Sequence, residues 1–163
     1  MKISLISAMS ENRAIGLKGR LPWPSLPNDW TNFFKVTQGC RMIMGRKSYD
    51  TPDRLSSEAG NFVITRQEDY VVEDGFTRVG SLTEAIDACK DDKDVFVIGG
   101  AEIFHQALPL ADIIHLTLVH GVFEGDAFFP EFSENDFKLK SRQDFPADPQ
   151  HAVPYSFLVY KKA

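Results

Sequence analysis

Hydrophobic and polar positions alternate between two periods along this chain. Lys2–Ala8 is apolar and strand-like, and a strand so near the N-terminus is expected at the centre of a sheet. Ser10–Trp23 carries Gly16, Gly19 and Pro22 and reads as a long loop, of the kind that serves as a lid in small domains. Asn28–Thr37 has the spacing of an amphipathic helix, with Pro27 suited to its first turn. Cys40–Met44 is a short apolar strand, followed by a short helix over Arg46–Thr51 that Pro52 ends. Asn61–Thr65 and Phe76–Val79 are further strands. Ser81-Leu82-Thr83-Glu84 fits a capping box opening a helix to about Lys90. Val95–Ile98 is a buried strand ending at Gly99-Gly100, Glu102–Leu108 is a helix stopped by Pro109, and Ile113–Val119 is another strand. Strand pairs, Phe137–Phe145 and Tyr155–Lys161, close the chain across a polar, Pro-containing loop. Strands alternating with helices predict an α/β fold with a largely parallel sheet, to which the closing hairpin adds antiparallel pairing.

No repeat, linker or low-complexity segment interrupts the 163 residues, so a single domain over 1–163 is expected. At 43% hydrophobic and 25% charged residues, with thirteen Phe, the chain can bury an aromatic core without a disulfide or metal staple. The net charge of −5 argues against a nucleic-acid or anionic-membrane surface. Cys40 and Cys89 stand far apart, which suits a reduced, cytoplasmic compartment. The N-terminus lacks the apolar run of a signal peptide, and no run reaches membrane-spanning length.

One acid stands out. On a helix starting at Pro27, Asp29 shares a face with Phe33 and Val36. A carboxylate on an apolar face needs a partner or a shifted pKa, and active sites use this to build an acid or an anchor for a cationic ring. Acids also favour the first turn of any helix, so Asp29 alone leaves both readings open.

Two strand-to-helix turns carry more. Met42-Ile43-Met44-Gly45-Arg46-Lys47-Ser48 delivers a glycine, two cations and a hydroxyl to a helix N-terminus, where a phosphate finds free N–H groups. A solvated basic turn is the alternative. Val97-Ile98-Gly99-Gly100-Ala101-Glu102 lets a ligand or a neighbouring backbone come close. Two such turns in one sheet suit a two-phosphate ligand lying across strand ends, although GxGxxG and GxxxxGKS are both absent. Arg46, Lys47 and Arg66, the last following Thr65, favour a cofactor with a 2′-phosphate. The four histidines show no metal spacing, and His115, within a strand, reads as structural.

These stretches, in order, resemble dihydrofolate reductases of the bacterial chromosomal type. The set runs through Ile6-Ser7-Ala8-Met9, Ile15-Gly16, Leu21-Pro22-Trp23, Leu26-Pro27-Asn28-Asp29 with Phe33 and Thr37, the turns at Gly45 and Gly99, Leu116-Thr117 and Glu124-Gly125-Asp126. The resemblance implies eight strands, the last antiparallel, with four flanking helices. It implies reduction of 7,8-dihydrofolate to tetrahydrofolate with NADPH, by a monomer serving one-carbon metabolism. Asp29 is then the acid at the pterin, with Leu21 and Trp23 beside it in the catalytic set. Ile6, Ala8, Phe33 and Thr117 would complete the substrate pocket. Ala8, Ile15, Gly16, Ile98 and Phe104 would surround the nicotinamide. Gly45, Arg46, Lys47, Ser48, Thr65 and Arg66 would hold the adenosine half, and Gly99, Gly100, Ala101, Glu102 and Ile103 the pyrophosphate. Ser10–Trp23 would be the lid.

The chain departs from that pattern in Ser56-Ser57-Glu58-Ala59-Gly60-Asn61, where the family places an arginine for the substrate's glutamate tail; Arg54 is the nearest substitute. Phe104 stands where tyrosine is common and Ala127 where threonine is common. A pyrimidine reductase of riboflavin synthesis shares the implied fold, and a silent NADPH-binding module is the third reading. Neither needs an acid-bearing aromatic helix after Leu-Pro-Trp.

Overall fold

The computed structural model describes residues 1–163. In chain order the elements are β1 (Lys2–Ser10), β2 (Ala14–Gly16), α1 (Pro27–Thr37), β3 (Arg41–Gly45), α2 (Arg46–Asp50), β4 (Asn61–Ile64) and β5 (Phe76–Val79). They continue with α3 (Leu82–Ala88), β6 (Asp94–Val97), α4 (Ala101–Ala107), β7 (Ile113–Val119), β8 (Ala127–Phe128), β9 (Phe137–Phe145) and β10 (Tyr155–Lys162). Eight strands form one sheet in the order β5-β4-β3-β6-β1-β7-β10-β9. β1 is central, as its apolar run implies. Only β10 runs against its neighbours, pairing antiparallel with β7 and with β9, which lies outside it as the edge.

Alternation along each strand assigns the two faces. Leu5, Ile43, Val95, Val97, Ile114 and Leu116 point to one side and pack with Leu82 and Ala85 of α3 and Ile103, Phe104 and Ala107 of α4. Ile6, Met42, Met44, Val63 and Phe96 point to the other, against Phe33 of α1 and Tyr49 of α2. Both faces are covered, so these strands are apolar on both sides. No helix is long and apolar enough to cross a membrane.

Local expectations differ from the structure in instructive ways. The long loop contains β2, which pairs with β8; neither short strand has enough residues to show a period. Ser81 caps α3 by accepting from the N–H of Glu84 at 3.1 Å, but the Glu84 carboxylate accepts from the N–H of Gly80, at 2.7 Å, rather than from that of the cap residue. α3 ends at Ala88 rather than near Lys90. Pro109 does not stop the chain's coiling: it sits in a 3-10 turn over Leu108–Leu110, where its missing N–H is harmless.

The edge strand β9 is exposed along most of its length and carries Lys138, Lys140 and Arg142. Its pairing with β10 is interrupted by a bulge at Val159/Tyr160.

Candidate active site

Sheet register brings the site together. On β1, Ile6 and Ala8 face α1; on β7, His115 and Thr117 lie beside them, in register Ile6↔His115 and Ala8↔Thr117. On β10, Phe157 and Val159 take the next place outward, opposite Thr117 and His115. Above this strip lies α1. It starts at Pro27, whose fixed φ suits the first helical turn, and ends before Gly39, which adopts φ +77°. Its inward stripe carries Asp29, Asn32, Phe33 and Val36. Between helix and strand ends opens a cavity of about 240 Å³.

Asp29 lines this cavity and accepts a hydrogen bond from the Thr117 hydroxyl, 2.6 Å from Oδ1. Burial pushes the Asp29 carboxyl above its ordinary range, and the Thr117 bond draws it back in part. Its second oxygen has no protein partner. The rest of the wall is mostly hydrophobic, with Ser7, Asn32, Ser48, His115 and Thr117 as its other polar side chains, so the carboxylate is the cavity's one anionic group and is free to orient a polar heterocycle.

Of the residues singled out from sequence, Ile6, Ala8, Ile15, Leu21, Asp29, Phe33, Ser48, Ile98, Gly99, Gly100, Phe104 and Thr117 line the cavity. Trp23 does not. It is buried against Leu26, Val119 and Tyr155, and its indole N–H is a buried donor with no protein acceptor, which is uncommon in folded proteins. Gly16, Gly45, Arg46, Lys47, Thr65, Arg66, Ala101, Glu102 and Ile103 also lie off the cavity wall.

Arg54 is not brought to the cavity either, although Leu55 is. Its guanidinium lies 2.5 Å from the Glu73 carboxylate and 4.3 Å from the Tyr49 ring centroid, and donates to the Tyr49 carbonyl at 3.2 Å.

His115, which reads as structural from sequence, lines the cavity instead. Burial, and next to it Lys161, lowers its pKa, so it is neutral at neutral pH. Its position two residues before Thr117 on one strand was the available signal. Trp30 and Asn32 of α1 also line the cavity, as do the β10 residues Phe157, Leu158 and Val159, which only the register of β10 on β7 reveals.

Next to the cavity the two glycine turns meet. Strands β3 and β6 are neighbours, and Gly45 donates its N–H to the Gly99 carbonyl at 2.8 Å. Gly99 adopts φ +122°, and a Cβ there would stand 3.3 Å from the Phe104 ring and 3.5 Å from the Ser48 hydroxyl. A Cβ at Gly45 would stand 3.0 Å from Ile103. Side chains are thus excluded where α2 and α4 begin, leaving a backbone cradle over adjacent strand ends. That is the construction a dinucleotide's phosphates fit. Beyond it, Lys47 and Arg66 are exposed, and Arg46 makes a long pair with Asp50, 3.4 Å, and lies 5.9 Å from the Tyr70 ring centroid, so cations are available at the cradle's outer end.

The segment 10–23 is tethered to the loop before β8. The N–H of Asp126 donates to the Gly16 carbonyl at 2.9 Å, and the Asp126 carboxylate accepts from the N–H of Lys18 at 2.9 Å. Gly125 makes the tether possible: a Cβ there would stand 2.7 Å from Ala14 Cβ and 3.1 Å from the Gly16 carbonyl oxygen.

A family model described as dihydrofolate reductase matches residues 2–162. The dihydrofolate reductase of Bacillus subtilis (strain 168) is 41% identical over 160 residues, covering 98% of this chain and 94% of that one. That of Neisseria gonorrhoeae is 38% identical over 162 residues, covering 98% of each. Among solved structures, dihydrofolate reductase from Enterococcus faecalis complexed with NADP(H) and RAB-propyl superposes with a TM-score of 0.88 at 27% identity, covering 99% of this chain and 96% of that one. A family match over residues 2–162, joined to a relative 41% identical across nearly the whole chain, leads to one conclusion: the chain belongs to the dihydrofolate reductase family.

Proposed function

We propose that this protein reduces 7,8-dihydrofolate to 5,6,7,8-tetrahydrofolate, and that the Asp29–Thr117 pair in a mostly hydrophobic cavity is the observation that carries the assignment. NADPH, when bound, supplies the hydride that reaches carbon 6 of the pterin, while nitrogen 5 takes a proton. Asp29 anchors the pterin's amino group and ring nitrogen and, by its charge, makes the ring easier to protonate. Thr117 fixes the orientation of that carboxylate. Ile6, Ala8, Phe33 and Leu21 pack the ring system. Ala8, Ile15, Gly16, Ile98 and Phe104 orient the nicotinamide. Gly99 to Ile103 meet the pyrophosphate. Gly45, Arg46, Lys47, Ser48, Thr65 and Arg66 hold the adenosine half and its 2′-phosphate. The lid, with Leu21 and Trp23 at its end, excludes water from the reacting ring.

A pyrimidine reductase or a silent cofactor-binding module has no use for a carboxylate held at this wall. The test is direct: NADPH loss is followed with pure protein and dihydrofolate, and absence of turnover at every pH sinks the assignment. We also read the chain as one domain acting as a monomer in a reducing cytoplasm, in keeping with its two free thiols and net charge of −5.

Arg54 is proposed as the clamp for the substrate's carboxylate tail, with Glu73 as the competing anion it must leave. Arg54→Ala is expected to raise KM for dihydrofolate about tenfold, the scale of one charge-assisted hydrogen bond. Glu73→Gln is expected to lower it, since the rival charge is gone. An unchanged KM in Arg54→Ala rejects the clamp.

A further inference from the structure

Helix α1 begins without a cap of its own. Leu26 at the cap position offers no side-chain acceptor, and Pro27 has no N–H. The next donor, the N–H of Asn28, is met from far along the chain, by Nε2 of His151 at 3.1 Å. His151 is buried, at 5% exposure. Its Nδ1 lies 2.8 Å from Asp148 Oδ1, which also accepts from the N–H groups of Gln150 and His151, both at 2.8 Å. An ionised carboxylate can only accept, so Nδ1 carries the ring proton and Nε2 presents a lone pair. A lone pair is what the Asn28 N–H requires. The His151 bond, first among several, holds the Asp148 carboxyl below its usual range.

The surroundings fix this arrangement. The Tyr155 ring packs on the imidazole with centroids 5.0 Å apart, and its hydroxyl accepts from the Asn28 side-chain amide at 2.8 Å. Asp148 and His151 close their own two-way main-chain bridge, at 2.9 and 3.1 Å. Residue 28 is therefore held at its backbone by the loop between β9 and β10 and at its side chain by the first residue of β10. The next residue is Asp29.

We propose that His151 is a positioning residue for dihydrofolate reduction: kept by Asp148 as the neutral Nδ1–H tautomer, it caps α1 at Asn28 and so fixes the depth at which Asp29 meets the pterin. A carboxylate whose work is orientation tolerates little displacement, because misplacement far smaller than a bond length in each coordinate accumulates in the transition-state geometry. His151 lies off the cavity wall and acts only through the helix start. The inference rests on the dihydrofolate assignment of the Asp29 site.

Two variants and one spectrum test it. His151→Phe keeps a ring against Tyr155 but removes the acceptor; kcat/KM for dihydrofolate should fall about tenfold, with KM for NADPH unchanged. His151→Gln, whose side-chain carbonyl can reach the Asn28 N–H, should recover most of that loss. No loss in His151→Phe, equal losses in both variants, or a parallel loss in NADPH binding overturns the proposal in favour of packing alone. In 15N-histidine-labelled wild-type protein, the His151 resonances should show Nδ1 protonated and Nε2 bare. A proton on Nε2 overturns the proposal. That spectrum needs neither turnover nor a folded variant, so its outcome is independent of whether dihydrofolate is the substrate.

Discussion

Asp29→Asn is expected to lower kcat/KM for dihydrofolate by about 10²–10³-fold at neutral pH while leaving NADPH affinity unchanged. The amide keeps the shape of the carboxylate and can still accept from the Thr117 hydroxyl, so geometry survives and charge does not. Loss of charge removes what favours the protonated pterin. The wild-type pH profile of kcat/KM should therefore carry an ionisation above the ordinary carboxylate range, as burial dictates, and the variant should lack it. Stability should move the other way. Burial raises the Asp29 pKa above its unfolded value, so the folded state holds the proton more tightly. Stability contributed by that proton is present at low pH and is lost as pH rises through the folded-state pKa. At neutral pH the ionised, buried Asp29 opposes folding. Asp29→Asn should accordingly raise Tm of the ligand-free protein at pH 7, with a smaller gain at acid pH, as calorimetry would read. A variant that is both slow and less stable would mean that Asp29 is a structural acid. Collapse of NADPH affinity in the variant would refute the division of the site.

Gly125→Ala is expected to be the most damaging small substitution outside the cavity. Its Cβ would meet Ala14 Cβ at 2.7 Å and the Gly16 carbonyl at 3.1 Å, neither of them the end of a flexible side chain. Relief requires β2 and the loop before β8 to separate, which breaks the Asp126–Gly16 bond and loosens the lid. Overpacking of this kind costs about 1–3 kcal/mol. Single-turnover hydride transfer should slow by roughly ten- to a hundredfold, the scale of an ångström-sized misplacement, with less change in equilibrium NADPH binding. An unchanged single-turnover rate would show that the tether does not position the lid.

What could be read from the residues, and what could not, divides along contact distance. Pro27 and the Asp29–Phe33–Val36 spacing announced α1 and its acid, because helix periodicity is local. The glycines at 45 and 99 announced their turns for the same reason. Thr117 needed the family resemblance, since nothing within its own strand distinguishes a hydroxyl that meets a carboxylate from one that meets solvent. The place of His115 on the cavity wall could not be read locally, because its neighbours in space, Ile6 and Val159, belong to other strands. The Arg54–Glu73 pair and the β2–β8 ladder likewise depend on where distant loops come to rest. His151 lay in a segment that reads only as a polar loop, and its partner at Asn28 is set by how β10 docks on β7.

The charged outer margin of the sheet has a consequence for crowded solutions. β9 offers an open row of backbone donors and acceptors, the usual template for strand-to-strand assembly. Two copies approaching margin to margin would bring Lys138 and Lys140 of each near the same two cations of the other, Arg142 being paired with Asp144 of its own strand at 2.9 Å. That repulsion reaches about 10 Å at 0.1 M salt and about 3 Å at 1 M. Colloidal stability of this protein is therefore electrostatic on this side, strongest in dilute buffer, and weakened by the high-salt conditions that leave the hydrophobic core untouched.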